Sequence, residues 1–259
     1  MPELPDVEGF KRTLGEHAAG HRIERVEIRD PGVLRGVSAR QLRTRLRGCR
    51  FAEPRRQGKW VIARTNGPAL LMHFGMTGSL RWTGHHVPAE RFERVTFVTD
   101  GGELHYDDMR KLTGISLAAN DEEARRLLGS LGPDALTVQQ GEFADLLDAR
   151  RAAVKSVLMD QHLIAGLGNL LTDEILWRAC VNPRRHASSL SGHEVAELYA
   201  RMRWVLRTSI KAGDVPAKSS WLTGARYQRE PRCPRCGTTL SHARIGGRTS
   251  VWCPLCQGD

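Results

Sequence analysis

Four of the six cysteines lie close together near the end of this 259-residue chain and form two Cys-X-X-Cys pairs. Cys233 and Cys236 make the first pair, Cys253 and Cys256 make the second, and sixteen residues separate them. Pairs at this spacing can supply four thiolates to one tetrahedral Zn²⁺, with a hairpin between them. Because all four ligands are cysteines, no coordination position remains for water. Residues 226–259 are therefore predicted to form a zinc finger around one structural ion.

The alternative for these cysteines is a pair of disulfides in a secreted tail. The start, Met1-Pro2-Glu3-Leu4, has neither the basic nor the apolar stretch of a secretory signal. No apolar run approaches the roughly 20 residues that cross a bilayer. We therefore expect a cytoplasmic protein without membrane attachment. Since disulfides are rare in reducing compartments, metal is the favoured interpretation.

The charge of the chain suggests an anionic partner. It has 39 Lys and Arg residues against 29 Asp and Glu, a formal net charge of +10, and a hydrophobic fraction of 40% that is ordinary for a folded protein. A basic surface favours nucleic acid or anionic lipid, although many basic proteins bind neither. Six arginines and one acid lie within residues 226–256, so the predicted zinc finger itself suits a phosphate backbone.

Short β-type segments occupy the first half of the chain, and helical patterns occupy the second. A helix is expected in the first dozen residues, with Asp6 as a candidate cap. Closely spaced strands after it predict an antiparallel sandwich or barrel. The predicted strands are 22–28, 60–64, 69–73, 94–99 and 103–106, and the predicted helices are 142–158, 170–179 and 192–212. The fold class is therefore α+β, with domains at 1–134, 140–225 and 226–259.

A glycine-rich junction, Gly166-Leu167-Gly168-Asn169, separates two of the helical stretches. Its glycines permit the positive φ angles of a tight double turn, and Asn169 stands where a helix N-cap is preferred. Amides at a helix start attract phosphate. An ordinary helix–helix turn remains an open interpretation. The nearby cations Arg150, Arg151 and Lys155 favour an element that faces nucleic acid.

The second residue could carry chemistry of its own. Removal of Met1, which a following proline usually permits, would leave Pro2 with a free secondary amine. Such an amine titrates at roughly 7.7–8.0 and can attack an aldehyde-like carbon to form an iminium. While Met1 stays attached, this reaction is blocked. On composition alone, a chance proline after the start is the simpler interpretation.

Together these features resemble the formamidopyrimidine-DNA glycosylase and endonuclease eight family. The start PELPDVE is closer to the formamidopyrimidine branch, whose usual form is PELPEVE. Further matching motifs are Gly58-Lys59, HFGMTG at 73–78, residues 108–114, residues 155–174 and the four cysteines. The resemblance implies an N-terminal antiparallel β-sandwich with a catalytic N-terminal helix, a helix-two-turn-helix domain and the zinc finger. It also implies a monomeric glycosylase and abasic-site lyase of the bacterial nucleoid, acting on oxidised bases in double-stranded DNA.

The resemblance implies a role for individual residues. Pro2 attacks C1′ of a flipped nucleotide and displaces the base, while Glu3 acts as general acid or base on the opening sugar. Lys59 donates a proton and contacts phosphate during the β-elimination that follows. Arg248 binds the phosphates around the lesion and supports δ-elimination.

Other residues are expected to contact DNA. Met76 and Arg110 match two of the three side chains that fill the gap left by a flipped base, and Asn169 matches an asparagine that grips phosphate. The full set of expected DNA contacts is His73, Met76, Arg110, Leu112, Arg150, Arg151, Lys155 and Asn169.

Four departures from the family pattern bear on the lesion preference. Asp6 replaces a glutamate, and Leu112 replaces the aromatic third gap-filling side chain, because DMRKL stands where DPRRF is usual. Phe92 stands where histidine is frequent, and the stretch 210–227 is shorter than the loop that caps 8-oxoguanine in this branch. A pyrimidine-preferring enzyme like endonuclease eight therefore remains an alternative, as does a non-catalytic binder of abasic or damaged DNA.

Overall fold

The structure, a computed structural model, describes residues 2–258 and divides them into two compact units. The first unit contains residue 2 and residues 6–130, and the second contains residues 3–5 and 131–258. Antiparallel sheets dominate the first unit, and helices with one hairpin make up the second. The predicted α+β fold class is therefore confirmed. Met1, whose removal the sequence predicts, lies outside the described residues.

Helix α1 (Leu4–Thr13) begins the regular structure and continues into a π-helical turn at Leu14–Ala18. Asp6 lies inside the first turn of α1, so its predicted position as the cap is wrong. Its negative charge there complements the positive end of the helix dipole.

Two four-stranded antiparallel sheets form the first unit. One sheet has the strand order β1-β6-β7-β5, with bounds Ile23–Ile28, Glu93–Thr99, Glu103–Asp107 and Ser79–Thr83. The other has the order β2-β3-β4-β8, with bounds Arg55–Gln57, Trp60–Ala63, Ala69–His73 and Gly114–Ala118. Val26 and Phe97 of one sheet and Val61 and Met72 of the other belong to one buried cluster. The predicted sandwich is thus confirmed, because the two sheets share a core.

The sequence patterns did not predict three strands and two helices of this unit, which are β2, β5, β8, α2 (Ala39–Leu46) and α3 (Asp121–Leu128). Strand β2 has only three residues and none of them is apolar, whereas β8 is buried along its whole length and lacks the alternation of a half-buried strand. Helix α2 begins at a capping box formed by Ser38 and Gln41. Helix α3 begins after an Asn120 cap.

The second unit contains five α-helices, one short 3-10 helix at Ala187–Ser189 and a hairpin within the described residues. The α-helices are α4 (Gln140–Asp148), α5 (Val154–Met159), α6 (Asn169–Arg178), α7 (Gly192–Ala212) and α8 (Leu222–Ala225). The hairpin pairs β9 (Ser241–Ile245) with β10 (Arg248–Trp252). The prediction for α7 is confirmed, and Gly213 ends this helix in a left-handed conformation. In the part of the chain described, no helix is long and apolar enough to cross a membrane.

The single helix predicted over 142–158 is wrong, because the chain breaks between α4 and α5. Residues 150–153 instead pair with residues 185–188. Ala187 and Ser188 donate backbone N–H groups to the carbonyls of Ala152 and Arg150, and the Val154 N–H bonds to the Arg185 carbonyl. These partners, distant in sequence, replace the hydrogen bonds that a continuous helix would make.

Candidate functional site

The Glu3 carboxylate is buried against the start of α6. It is 1% exposed, and its two oxygens accept the backbone N–H groups of Leu170 at 2.8 Å and Leu171 at 3.1 Å. Such amides are donors without helical partners at the positive end of the helix dipole, so they favour a negative group there. The residue that follows Pro2 in the chain is thereby held on the glycine-rich junction.

The two glycines of this junction serve different purposes. Gly166 has a φ of 114°, as the double turn predicts, whereas Gly168 has a φ of −122°, so the predicted positive φ at Gly168 is wrong. A Cβ atom on Gly168 would lie 2.2 Å from the Cδ of Glu3. Gly168 is therefore required by the close approach of the Glu3 side chain rather than by its own backbone angle.

Asn169 is the first residue of α6, and Gly168 occupies the N-cap position predicted for it. The cap prediction is wrong because Glu3 already accepts the first free amides of the helix. The Asn169 side chain makes two other contacts: Nδ2 donates to the Thr249 carbonyl at 3.0 Å, and Oδ1 accepts from Lys155 Nζ at 2.8 Å. Asn169 thus connects α6 to the hairpin strand β10.

Lys155 lies in the interior, not on the surface where a direct DNA contact would require it. Its side chain is 0% exposed, and Nζ lies 2.6 Å from Oδ1 of Asp173. The other Asp173 oxygen accepts from Arg226 Nη1 at 2.9 Å and from the Val251 N–H at 3.2 Å. Burial lowers the pKa of Lys155, and the Asp173 carboxylate opposes that shift. Lys155, Asp173 and Arg226 form a buried ion network that joins α5, α6 and the end of α8, and Asp173 also binds the backbone of β10.

Asp173 was missed by sequence analysis, and Arg226 was counted only among the six arginines of residues 226–256. Asp173 lies in an apolar helix, LLTDEILW, and an acid in such a run signals a buried partner. That signal indicates that Asp173 has a partner without identifying Lys155 or Arg226.

Arg248 begins β10 at an exposed hairpin tip. Gly246 and Gly247 connect the strands with φ values of 56° and 75°, the left-handed angles of a tight two-residue hairpin turn. A Cβ on Gly246 would approach Ser156 Oγ to 2.6 Å, so the turn lies close to α5. The carbonyl of the next residue, Thr249, is the one that Asn169 binds. The position of Arg248 is therefore tied to the glycine-rich junction.

The four clustered cysteines form one site. All four Sγ atoms lie within 4.8 Å of one another, with distances of 3.5 Å for Cys236–Cys253 and 3.9 Å for Cys233–Cys256. A tetrahedral Zn²⁺ with Zn–S bonds of about 2.3 Å requires sulfur separations of about 3.8 Å. Trp177 Nε1 also donates to Cys233 Sγ at 3.3 Å, a contact that orients a thiolate ligand. The donor set therefore fits one structural zinc ion.

In the first unit, His73 braces a loop. Its Nδ1 accepts the Gly75 N–H at 3.0 Å and lies 3.1 Å from the Thr113 hydroxyl oxygen. Burial, and then the positive charge of Lys59, lower the pKa of His73 to about 4. His73 is therefore neutral near pH 7, and Lys59, in the turn between β2 and β3, is close enough to influence it.

The expected gap-filling residues of this unit come together in part. Arg110 Nη1 lies 2.9 Å from Met76 Sδ, although the two residues belong to different loops. Leu112 is 53% exposed, and Met109, which sequence analysis did not single out, is 49% exposed. The loop of residues 108–113 thus exposes two apolar side chains beside Arg110. In the second unit, Arg150 and Arg151 are exposed in the break between α4 and α5.

Comparisons with known proteins cover the whole chain. The family models described as "Formamidopyrimidine-DNA glycosylase N-terminal domain", "Formamidopyrimidine-DNA glycosylase H2TH domain" and "Zinc finger found in FPG and IleRS" match residues 1–115, 131–220 and 231–258. Formamidopyrimidine-DNA glycosylases of Desulfitobacterium hafniense and Xanthomonas campestris are 34% and 35% identical over 99% of this chain and 100% of their own lengths.

Solved structures agree with these relatives. The Lactococcus lactis Fpg, in a complex with DNA containing an abasic site, has a TM-score of 0.89 at 27% identity, with 100% of both chains covered. MutM in a complex with DNA containing carbocyclic 8-oxo-G has a TM-score of 0.90 at 27% identity and the same coverage. The zinc-finger match also confirms the prediction of one structural zinc ion. The resemblance seen in the motifs is confirmed, and the chain belongs to the formamidopyrimidine-DNA glycosylase family.

Proposed function

We propose that this protein is a bifunctional DNA glycosylase and abasic-site lyase of base excision repair. Its substrate is double-stranded DNA with an oxidised base or an abasic site, and it works as a monomer at the nucleoid in the bacterial cytoplasm. One observation carries the proposal. A buried carboxylate, Glu3, directly follows Pro2 and is held by two helix amides in a chain that matches this family throughout.

Pro2 supplies the nucleophile. After loss of Met1, the nitrogen lone pair of Pro2 bonds to C1′ of the damaged nucleotide, and the C1′–base bond breaks with its electrons leaving on the base. The departing base takes a proton from water. Glu3 accepts the proton that the Pro2 nitrogen releases and returns it to O4′ as the sugar opens to an iminium. The amides of Leu170 and Leu171 hold both Glu3 oxygens during this exchange.

Elimination then cuts the strand. The positive iminium acidifies the C2′ proton, which water accepts. The electrons of the C2′–H bond then form a C2′=C3′ double bond, and the C3′–O bond breaks so that the 3′ phosphate leaves with its electron pair. We assign Lys59 as the proton donor and phosphate contact of this step, and Arg248 as the ligand of the phosphates beside the lesion. Arg248 suits this role because it is exposed, while Asn169 fixes the adjacent Thr249 carbonyl.

Base flipping precedes this chemistry and leaves a gap in the duplex. Met76 and Arg110, which contact each other, fill that gap together with Leu112. Asn169 uses one N–H of its amide on Thr249, so the second N–H is available for a DNA phosphate. Lys155 acts through Asn169, because its amine is buried and donates to the Asn169 Oδ1 atom.

The covalent intermediate provides the test. We expect borohydride to trap the protein on an abasic duplex. Pro2→Gly should reduce the trapped fraction about 10²-fold or more, because it replaces a secondary ring amine by a primary amine and changes the position of the nitrogen. Pro88→Gly, a change at an exposed proline elsewhere in the first unit, serves as the matched control. An undiminished adduct with Pro2→Gly would disprove the assignment of the nucleophile.

Glu3 is tested separately from Pro2. Glu3→Gln keeps a carbonyl oxygen for one of the two amides but cannot accept the proton, so base excision should fall about 10²–10⁴-fold. Single-turnover excision measures this loss, and borohydride trapping on an abasic duplex shows whether Pro2 still reacts. An excision rate within twofold of the unaltered protein would contradict the proton-transfer role.

A pyrimidine preference is the second candidate for the substrate. Nine residues, 213–221, connect α7 to α8, and their last member, Trp221, is buried and stacks on Trp204. This short connection, with Leu112 as the third gap-filling residue, favours a lesion range that differs from that of the 8-oxoguanine enzymes. Excision rates from 8-oxoguanine, formamidopyrimidine and dihydrouracil duplexes decide between the two. Faster removal of dihydrouracil would establish the second candidate.

A further inference from the structure

Asp108 is a buried carboxylate that the proposed mechanism leaves without a role. It directly follows β7 and is 0% exposed. Its Oδ1 atom accepts the Thr77 hydroxyl at 2.7 Å and the Arg110 backbone N–H at 3.0 Å. Its Oδ2 atom is buried without a hydrogen-bond partner among residues 2–258. Burying an oxygen without a hydrogen-bond partner costs free energy, so a carboxylate at this position needs a compensating role.

The two groups that Asp108 binds, the Thr77 hydroxyl and the Arg110 N–H, belong to two different loops. Thr77 belongs to the loop between β4 and β5, and Arg110 belongs to the loop between β7 and β8. The Thr77 hydroxyl oxygen also accepts the Arg110 N–H at 3.1 Å. The carboxylate, the hydroxyl and the amide therefore form a closed set of three hydrogen bonds. We call the Asp108 carboxylate and the Thr77 hydroxyl the loop clamp.

The loop clamp is directly connected to two of the gap-filling residues, Met76 and Arg110. Met76 precedes Thr77 in the chain, and the Arg110 side chain reaches across to the Met76 sulfur at 2.9 Å. A hydrogen bond that Asp108 accepts from the N–H two residues later would be an ordinary turn feature. The bond to Thr77 exceeds that role, because it fixes the separation of two loops that are over thirty residues apart in sequence.

Other contacts hold each loop, and His73 links the two loops at Gly75 and Thr113. Arg94 Nε donates to the Asp108 carbonyl at 2.7 Å, and Arg35 Nη2 donates to the Lys111 carbonyl at 2.7 Å. The Gly78 N–H bonds to the Phe74 carbonyl at 2.7 Å. The two loops are thus also held elsewhere, and the loop clamp joins them at the residues that carry Met76 and Arg110.

We propose that the loop clamp sets the relative position of Met76 and Arg110 so that both can enter the gap left by a flipped nucleotide. Asp108 and Thr77 are then positioning residues. This inference rests on the proposed function, which assigns the gap to Met76 and Arg110. Side chains that are already arranged lose less conformational freedom on insertion, so the clamp should favour binding and catalysis on duplex DNA. Single-stranded DNA has no opposite strand and hence no such gap.

The decisive experiment compares Thr77→Val with Thr77→Ser on one abasic oligonucleotide, both paired and single-stranded. Valine has the shape of threonine without its hydroxyl, and serine retains the hydroxyl. We expect Thr77→Val to slow cleavage of the duplex about tenfold with less than a twofold change on the single strand, since small displacements of positioned groups have effects of this size or larger. Thr77→Ser should restore the duplex rate.

Two further comparisons separate positioning from folding. Asp108→Asn retains the Oδ1 acceptor and should keep the duplex rate within about threefold, whereas Asp108→Ala should lose it as Thr77→Val does. In a Met76→Ala/Arg110→Ala background both side chains that the clamp is proposed to position are absent, so adding Thr77→Val should cause no further loss on the duplex. Equal losses on paired and single-stranded DNA, or a full additional loss in that background, would overturn the clamp.

Binding measurements test the clamp without the chemistry. Fluorescence anisotropy with the same two oligonucleotides should show about a tenfold weaker duplex affinity for Thr77→Val and an unchanged affinity for the single strand. Unchanged duplex affinity together with an unchanged cleavage rate contradicts the inference. If the unaltered protein forms no borohydride adduct on either oligonucleotide, the proposed function fails, and the affinity ratio alone decides the clamp.

Discussion

Two buried carboxylates, one in each unit, are held in opposite ways. Asp173 contacts two cations, Lys155 and Arg226, whereas Asp108 receives hydrogen bonds from a hydroxyl and an amide and has no ion-pair partner within residues 2–258. Removal of one member of a buried ion network leaves uncompensated charge in the interior. Removal of a buried carboxylate that has no cation as partner leaves no uncompensated charge in the interior. The same residue type should therefore be needed for stability in the second unit and for geometry in the first.

The surroundings of Asp173 explain why a charged network is retained there. Asp173 lies on α6 and binds the Val251 N–H of β10, and Asn169 on the same helix binds the Thr249 carbonyl of that strand. The hairpin that carries Arg248 is thus attached to the helix whose first amides hold Glu3. The zinc site fixes the far side of the same hairpin.

Metal removal should have the largest effect. A structural zinc ion contributes about 10–16 kcal/mol to the folding of small zinc domains. Chelation, or Cys236→Ser, should therefore unfold the hairpin and lower DNA affinity and thermal stability together. Calorimetry and anisotropy on an abasic duplex measure the two quantities, and Cys49→Ser, a half-buried cysteine of the first unit, is the control. Full DNA affinity in metal-free protein would contradict the prediction.

Asp173→Asn should follow in size. Lys155 and Arg226 would remain buried with reduced compensation, and breaking such a network costs about 3–5 kcal/mol. Urea unfolding measures the loss, and Asp145→Asn, an exposed acid of α4, should change stability little. Because Asp173 binds β10, affinity for abasic DNA should fall as well. A loss below 1 kcal/mol would remove the contrast with Asp108.

Asp108→Asn should have a small effect on stability, or a favourable one. The amide keeps the acceptor for Thr77 and Arg110, and a neutral group is less costly to bury than a charged one. We expect the free energy of unfolding to stay within about 1 kcal/mol or to rise. A loss of unfolding free energy as large as that of Asp173→Asn would show that the two carboxylates contribute equally to stability.

A partly exposed carboxylate, Glu194, extends the comparison to a pH-dependent contribution. Hydrogen bonds from Arg185, and then from the Ser191 N–H, lower the pKa of Glu194 from 4.5 to about 2. Because the folded pKa is the lower one, the stabilisation is complete above pH 4.5 and is lost as the pH falls towards about 2. Glu194→Gln should flatten the pH dependence of Tm in this window. Glu197→Gln, on the same helix, is the matched control variant.

Periodicity and local turn chemistry predicted some elements and missed others for identifiable reasons. Helix α7 could be predicted because it has a capping box at Ser191, a long helical pattern and a terminal glycine. Strands β2 and β8 could not, since one is very short and polar and the other is buried on both faces. The break between α4 and α5 depends on backbone partners more than thirty residues away, which no local pattern contains.

For the candidate site, the sequence by itself determined which chemical groups are present. It contains the four thiols at zinc spacing, the proline at position 2 followed by Glu3, and the basic tail with Arg248. These depend on residue identity and short spacing, and both can be read along the chain.

Only the tertiary structure decided what each group touches. It placed Glu3 on the amides of Leu170 and Leu171, left Gly168 without room for a side chain, and buried the Lys155 amine against Asp173. Each of these outcomes is a contact between residues distant in sequence or a competition for a hydrogen-bond partner. Their free energies depend on burial and on geometry, which exist only once the chain has folded.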